Sequence, residues 1–143
     1  MNRSLLAPLA TLGITFALAA PALANDTYTG LPLAPSVRDN APLTRSAICN
    51  GSNHVRMSLF SWSTGTPAPA IADWYKNAMP GSKETRQFKR GDLAITEYIV
   101  ISGDGSSRVG VVDFRGKTVM RLTRAQRPID WGQEAQKNCK STE

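Results

Sequence analysis

Alternating apolar and polar side chains predict several β-strands in the middle and second half of the chain. Val55, Met57 and Leu59 alternate with mostly polar neighbours, which is the period of a strand with one buried face. Three more strand-like segments follow, at 93–102, 108–114 and 118–123. Short turns at 103–105 and 115–117 separate these three segments, which therefore predict a three-stranded antiparallel meander.

The segment between the first strand and the meander has the period of a helix. Its apolar residues fall at helical spacing on one stripe: Ile71, Trp74, Tyr75 and Ala78. Thr66 is a suitable N-cap, Pro67 is tolerated in a first turn, and the Pro-Gly pair at 80–81 ends the segment. We therefore expect the main helix here, with Trp74 in the core.

The end of the chain predicts a second, shorter helix. It would run from Pro128 or Ile129 to Cys139, with Trp131 and Ala135 on the same side as the cysteine. The order of strand, helix, three-strand meander and helix is typical of an α+β fold. We expect an antiparallel sheet of about four strands, one main helix packed across it and a short C-terminal helix.

Residues 1–24 have the three parts of a secretory signal peptide. Arg3 supplies the positive start, residues 5–20 are uncharged and mostly apolar, and Ala-Leu-Ala at 22–24 is a cleavage motif. The apolar run is shorter than the roughly 18 to 20 residues that span a bilayer. We therefore expect cleavage before Asn25, no membrane span, and a periplasmic or secreted protein.

The rest of the chain predicts a leader followed by one domain. Residues 25–45 contain Pro32, Pro35 and Pro42, a composition that favours an extended leader. Residues 46–143 then form a single compact domain, because the chain left after cleavage is too short for two stable cores.

The two cysteines predict one disulfide bond. Cys49 and Cys139 both follow the signal peptide, and in an oxidising compartment an isolated pair most simply forms a structural bridge. A redox or metal pair is the alternative, but cysteines of that kind usually lie a few residues apart. No metal site or cofactor site is predicted, since the acidic residues are scattered and there is only one histidine.

Basic residues are in excess and form two clusters. The formal net charge is +6, and loss of Arg3 leaves about +5. The clusters are Lys83, Arg86, Lys89 and Arg90 around Phe88, and Arg121, Arg124 and Arg127 at every third position. Cations with an aromatic residue between them are typical of surfaces that bind anionic polymers, and a solvated rim is the alternative.

Glu97, His54 and Arg108 are the candidate catalytic residues. Glu97 interrupts an apolar strand, where a carboxylate must be paired or lie near the rim, and Arg108 and Arg121 on the following strands are its candidate partners. A glutamate, arginines and one histidine on a small basic sheet protein are similar to the ingredients of the microbial ribonucleases. That resemblance implies Glu97 as base and His54 as acid, although the chain order differs and no local motif supports it.

Three functions are compatible with these patterns. The first is an exported, non-catalytic binding module of the cell envelope, of inhibitor or accessory type, which binds another exported protein. The second is a basic protein that binds lipopolysaccharide or other anionic envelope polymers, which are more accessible outside the cytoplasm than nucleic acid. The third is a small ribonuclease-like hydrolase.

Overall fold

The computed structural model describes residues 23–63, 65–89, 95–131 and 137–138. These residues contain one helix and seven strands: β1 (Thr44–Asn50), β2 (Asn53–Trp62), α1 (Ala68–Ala78), β3 (Lys83–Lys89), β4 (Ile95–Ile101), β5 (Ser107–Phe114), β6 (Lys117–Ala125) and β7 (Lys137–Asn138). The strands form one antiparallel sheet in the order β3-β4-β5-β6-β2-β1-β7. The prediction of an α+β fold with a β4-β5-β6 meander is therefore confirmed.

The predicted number of strands, about four, is wrong, because β1 and β3 add two full-length strands and β7 adds a short one. Every described side chain of β3 except Glu84 is exposed, so the strand has no apolar alternation to reveal it. It forms because its backbone pairs with β4 along its whole length. Backbone pairing of this kind depends on the neighbouring strand rather than on the local side chains.

The predicted C-terminal helix is wrong in the part that the structure describes. Residues 126–131 contain no helix, and Lys137–Asn138 form β7 against β1. The Trp131 indole N–H donates to the Gly105 carbonyl (2.9 Å), and the Ile129 N–H donates to the same oxygen (3.4 Å). These bonds to the β4–β5 turn replace the i to i−4 bonds of a helix, and Trp131 is only half-buried.

The main helix is confirmed, although its start differs from the prediction. Pro67 rather than Thr66 is the N-cap, and no side chain of the cap residue bonds the first turn. The Asp113 carboxylate of β5 instead accepts the Ala68 N–H (3.0 Å) and the Thr118 hydroxyl (2.9 Å). A distant strand therefore satisfies one of the donors that every helix leaves open at its N-terminus.

The core lies between α1 and one face of the sheet. The helix buries Ala68, Ile71, Ala72 and Tyr75 against apolar residues of β2, β4, β5 and β6. Trp74 is partly buried and packs against the edge of this core, with its ring edge-on to Tyr75 at 4.9 Å, so its predicted place in the core is met only in part. The spacing along the chain predicts which helix residues share one side. The angle at which α1 crosses the sheet decides which of those residues are buried.

Residues 24–40, here called the N-terminal segment, cover the remainder of the same face. The segment falls mostly within the predicted leader, yet it contributes Leu31, Ala34 and Val37 to the main core instead of standing apart as a tether. Burial raises the pKa of the Tyr75 hydroxyl, which stays protonated and donates to the Pro32 carbonyl (2.8 Å). This hydrogen bond joins α1 to the N-terminal segment, and the two together cover this face of the sheet.

Residues 1–22 of the predicted signal peptide lie outside the described residues, so export stays a prediction.

The opposite face of the sheet, here called the open face, has no helix of the described residues packed on it. Ser58, Phe60 and Trp62 point toward α1, whereas Met57 and Leu59 lie half-buried on the open face. On the side of β2 that the alternation predicts to be buried, Val55 is therefore fully buried, but Met57 and Leu59 are covered only in part. No helix in the described part of the chain is long and apolar enough to cross a membrane.

Candidate functional site

Two arginines lie side by side on the helix-covered face of the sheet. Arg56 of β2 and Arg124 of β6 are directly opposed in the antiparallel register. Alternate residues of a strand share a face, and Ser58 and Leu122, the next residues on that side, are fully buried under the cover. The arginines come just beyond the covered region, and both are exposed. Opposed residues of this kind have Cβ atoms about 4.5 to 5.5 Å apart.

The two arginines line a cleft of about 230 Å³, here called the arginine cleft. Its walls are formed by Thr29, His54, Arg56, Arg124, Ala125 and Gln126. The N-terminal segment provides the wall at Thr29, and a Cβ placed on Gly30 would come within 3.9 Å of the Arg124 Nη1. Two arginines therefore line a space large enough for a small anion.

Buried Asp26 holds this wall in place. Its Oδ2 accepts the Thr29 N–H (3.0 Å), the Thr29 hydroxyl (2.7 Å) and the Ser58 hydroxyl (2.8 Å). Burial alone raises the pKa of Asp26, but the bonds from Thr29 and Ser58 outweigh it and hold the pKa below its ordinary value. Asp26 therefore stays ionised and ties the N-terminal segment to β2.

No described carboxylate forms an ion pair with either arginine of the cleft. Arg56 donates to the Tyr28 carbonyl (3.4 Å), and neither Arg56 nor Arg124 has an ion pair within the described residues. Asp104 is close enough to interact electrostatically with Arg124, but its oxygens already accept bonds from Ser102 and Ser106. Like charges directly opposed across strands are unfavourable, so an external anion would relieve this repulsion.

His54 lines the cleft and lies beside Cys49. The Cys49 Sγ and the His54 Nδ1 are 3.6 Å apart across the β1–β2 pair. The structure has no free cysteine among its described residues, and Cys139 lies outside them, so the bridge between the two stays a prediction. Strand β7 places Lys137 opposite Cys49, which brings the end of the chain to this edge of the sheet.

The three candidate catalytic residues do not converge. Arg108 approaches Glu97 with 3.4 Å between Nη2 and Oε1, as expected for a carboxylate that is 8% exposed. Glu97 shares a register row with Ser61, seven residues along β2 from His54. At about 3.3 Å per residue this separates them by about 23 Å, and they lie on opposite faces. No acid–base pair for phosphodiester cleavage is formed by these residues.

Glu97 instead lies on the open face, in a second small cavity of about 190 Å³. Leu59, Ile95, Val112 and Val119 surround it, with Arg121 on its wall. A Cβ on Gly110 would overlap the Glu97 carboxylate, so the glycine makes room for it. The expectation that Glu97 is paired is thus met by Arg108, while Arg121 contributes to the same cavity.

The two predicted basic clusters are divided between the faces. Arg121 belongs to the open face and Arg124 to the arginine cleft. Arg127 donates to the Ser52 hydroxyl (2.6 Å) beyond the end of β6.

Within the other cluster, neighbours on β3 also point to opposite sides. Lys83 and Arg86 are both exposed. Arg86 lies over the Tyr98 ring at 5.2 Å and beside Glu84. Phe88 is 60% exposed. The Lys89 side chain and Arg90 lie outside the described residues.

Arg56, Thr29 and Gln126 are not among the residues that the sequence predicts for an anion site. Arg56 and Arg124 are 68 positions apart in the chain, and only the β2–β6 register brings them together. Within the described residues, no group of three or more His, Cys, Asp or Glu side chains could hold a metal ion.

A comparison with known proteins finds no matching family model, no matching curated protein and no matching solved structure.

Proposed function

We propose that the protein is an exported, non-catalytic binding module whose ligand carries an anionic group held in the arginine cleft. The observation that carries the proposal is the direct opposition of Arg56 and Arg124 without a carboxylate between them in the described chain. Guanidinium groups bind phosphate, sulfate and carboxylate through paired N–H donors. The cleft therefore supplies charge and hydrogen bonds to one ligand group.

A binding role is favoured over a hydrolytic one by the separation of the candidate acid and base. His54 contributes to the cleft, but Glu97 lies on the other face with Arg108. General acid–base catalysis needs both groups within hydrogen-bond reach of one substrate. The cleft has donors for an anion and no described carboxylate on its walls to act as the base.

The test is thermal unfolding of the purified protein in sodium phosphate and in sodium chloride of equal ionic strength. At a phosphate concentration ten times the Kd, mass action stabilises the folded state by about 1.4 kcal/mol. For a domain of this size that raises Tm by roughly 5 °C. We expect this gain in the wild type and its loss in Arg56→Gln and in Arg124→Gln.

Arg121→Gln is the matched control, because it removes the same charge from the other face of the sheet. It should keep the full gain in phosphate. In chloride, Arg124→Gln should be at least as stable as the wild type, since the substitution relieves the repulsion from Arg56. An equal loss of the phosphate effect in Arg121→Gln would show that general charge, and not the cleft, is responsible.

A further inference from the structure

A third arginine extends the arginine cleft along the same face of the sheet. Arg45 of β1 is opposite Ser58, two residues along β2 from Arg56, and its side chain points to the same side. The Tyr28 ring is close to both guanidinium groups, with 5.9 Å from its centroid to the Arg45 Cζ and 5.6 Å to the Arg56 Cζ. The two Cζ atoms are therefore at most about 11.5 Å apart, the sum of those distances.

Arg45 is held in position while part of it remains accessible. Its Nη2 lies 3.5 Å from the Asp26 Oδ1 and 3.2 Å from the Thr27 hydroxyl, and the side chain is 43% exposed. The contact to Asp26 is long for a hydrogen bond, and the other Asp26 oxygen already accepts from Thr29 and Ser58. A guanidinium has five N–H donors, so Arg45 keeps donors for a ligand.

The donor count of the cleft favours phosphate or sulfate over a single carboxylate. Arg56 and Arg124 together present two forks of N–H groups, and a tetrahedral group with three free oxygens and up to two negative charges can accept from both. A carboxylate has two oxygens and one charge, and it is matched by one arginine. A second such group on the same ligand would meet Arg45, which lies near the same Tyr28 ring.

We infer that the ligand is a polyanion with phosphate or sulfate groups spaced so that one lies in the arginine cleft and the next at Arg45, whose Cζ is within about 11.5 Å of the Arg56 Cζ. This inference rests on the proposed function and adds the number of anionic groups, their spacing and their chemistry. Once the first group is bound, the second contact is intramolecular, so it raises the affinity strongly even when it is weak alone. The ligand then runs across β6, β2 and β1 rather than along one strand.

The experiment measures the Kd of three probes: inorganic phosphate, a linear polyphosphate and a heparin fragment. Arg124→Gln should weaken all three. Arg45→Gln should leave the Kd of phosphate within about twofold of the wild type and weaken polyphosphate or heparin about tenfold. It should also reduce the slope of log affinity against log salt by about one. A stronger pattern with polyphosphate identifies phosphate as the native group, and a stronger pattern with the heparin fragment identifies sulfate.

Two further variants make the result decisive. Arg45→Lys keeps the charge and should retain most of the polyanion affinity. Unchanged phosphate binding in Arg45→Gln shows that the cleft is still folded in that variant. Arg121→Gln, on the open face, should change polyanion affinity by less than about twofold.

If Arg45→Gln weakens the polymers no more than Arg121→Gln does, while Arg124→Gln still abolishes phosphate binding, the inference falls and the proposed function stands. If polyglutamate binds as tightly as polyphosphate with the same dependence on Arg45, the preference for phosphate and sulfate is wrong, and an acidic protein partner is indicated. If none of the probes binds, the proposed function itself fails.

Discussion

Both faces of the sheet carry apolar side chains, but they are covered in different ways. On the helix-covered face, α1 and the N-terminal segment bury Phe60, Val111 and Leu122 to 1% exposure or less. On the open face, Leu59 and Val119 are half-buried and border the cavity that contains Glu97. Within the described residues, the apolar side chains under α1 and the N-terminal segment are therefore packed more completely than those that border the Glu97 cavity.

Each face of the sheet also buries polar groups. On the helix-covered face, Asp26 and the Tyr75 hydroxyl each have several partners within hydrogen-bond distance. On the open face, the Glu97 carboxylate lies 3.4 Å from the Arg108 guanidinium. Buried polar groups are costly unless they are bonded, so we expect the loss of a fully buried side chain that also makes hydrogen bonds to be the most damaging change. Four predictions test the comparison of the two faces.

The largest expected effect is that of Tyr75→Ala compared with Leu59→Ala. Tyr75 is fully buried and also bonds the N-terminal segment, so its loss should reduce the free energy of unfolding by about 3 to 5 kcal/mol. Leu59 is half-buried, and its loss should cost no more than about 2 kcal/mol. Urea denaturation of both variants measures the two losses. Equal losses would mean that the open face is as tightly covered as the other.

Tyr75→Phe separates the packing of this residue from its hydrogen bonds. The ring remains in the core, but the Pro32 carbonyl and the Ala34 N–H lose their partner. The expected cost is about 1 kcal/mol. A cost as large as that of Tyr75→Ala would show that the hydroxyl, rather than the ring, holds the N-terminal segment.

The next effect concerns Gly110 on the open face. Gly110→Ala places a methyl group against the Glu97 carboxylate and should reduce the free energy of unfolding by about 1 to 3 kcal/mol. In a Glu97→Ala background the same substitution should cost almost nothing, because the overlap is gone. A double-mutant cycle by urea denaturation measures this coupling. Additive losses would show that the Glu97 side chain does not lie over Gly110.

The smallest expected effect is the acid sensitivity that Asp26 confers. Its pKa in the folded protein is lowered from 3.8, so its stabilisation is present above that pH and is lost as the pH falls through the folded pKa. Asp26→Asn should cost on the order of 1 kcal/mol at neutral pH, because the bonds from Thr29 and Ser58 lose their charge assistance.

The measurement is Tm as a function of pH between about 2 and 6. The difference between the wild type and Asp26→Asn should shrink below pH 3.8, as the wild-type carboxyl becomes protonated. A difference that grows on acidification would mean that Asp26 is protonated in the folded protein at neutral pH. Asp104, whose pKa is lowered to about 2 by bonds from Ser102 and Ser106, adds to acid sensitivity in both proteins and cancels in the comparison.

Local patterns were sufficient for α1 and for the meander. The stripe that includes Ile71 and Tyr75 recurs at helical spacing, and the turn at Arg115 and Gly116 has positive φ at both positions, as a two-residue hairpin requires. These signals are short-range, because the bonds and dihedral angles that they describe lie within a few residues. The cap that Asp113 provides to Ala68 has no such signal, since 45 residues separate the two.

Local sequence patterns could not predict the arginine cleft. Spacing along β6 groups Arg121 with Arg124, but alternation in a strand places them on opposite faces. The true neighbour of Arg124 is Arg56, and that pairing depends on the β2–β6 register. A shift of one residue in that register would bring Arg124 opposite a residue of the other face.

The amino-acid sequence by itself determined the α+β class, the position of α1, the meander and the excess of positive charge. Periodicity, turn residues and composition act over short distances, so they can be read without knowing what each element packs against. Tertiary structure alone decided that polar β3 pairs with β4, that Leu31 and Val37 enter the core, and that two arginines share a cleft. These outcomes depend on which surfaces the chain brings together, and on the burial and backbone pairing gained there, which no single segment encodes.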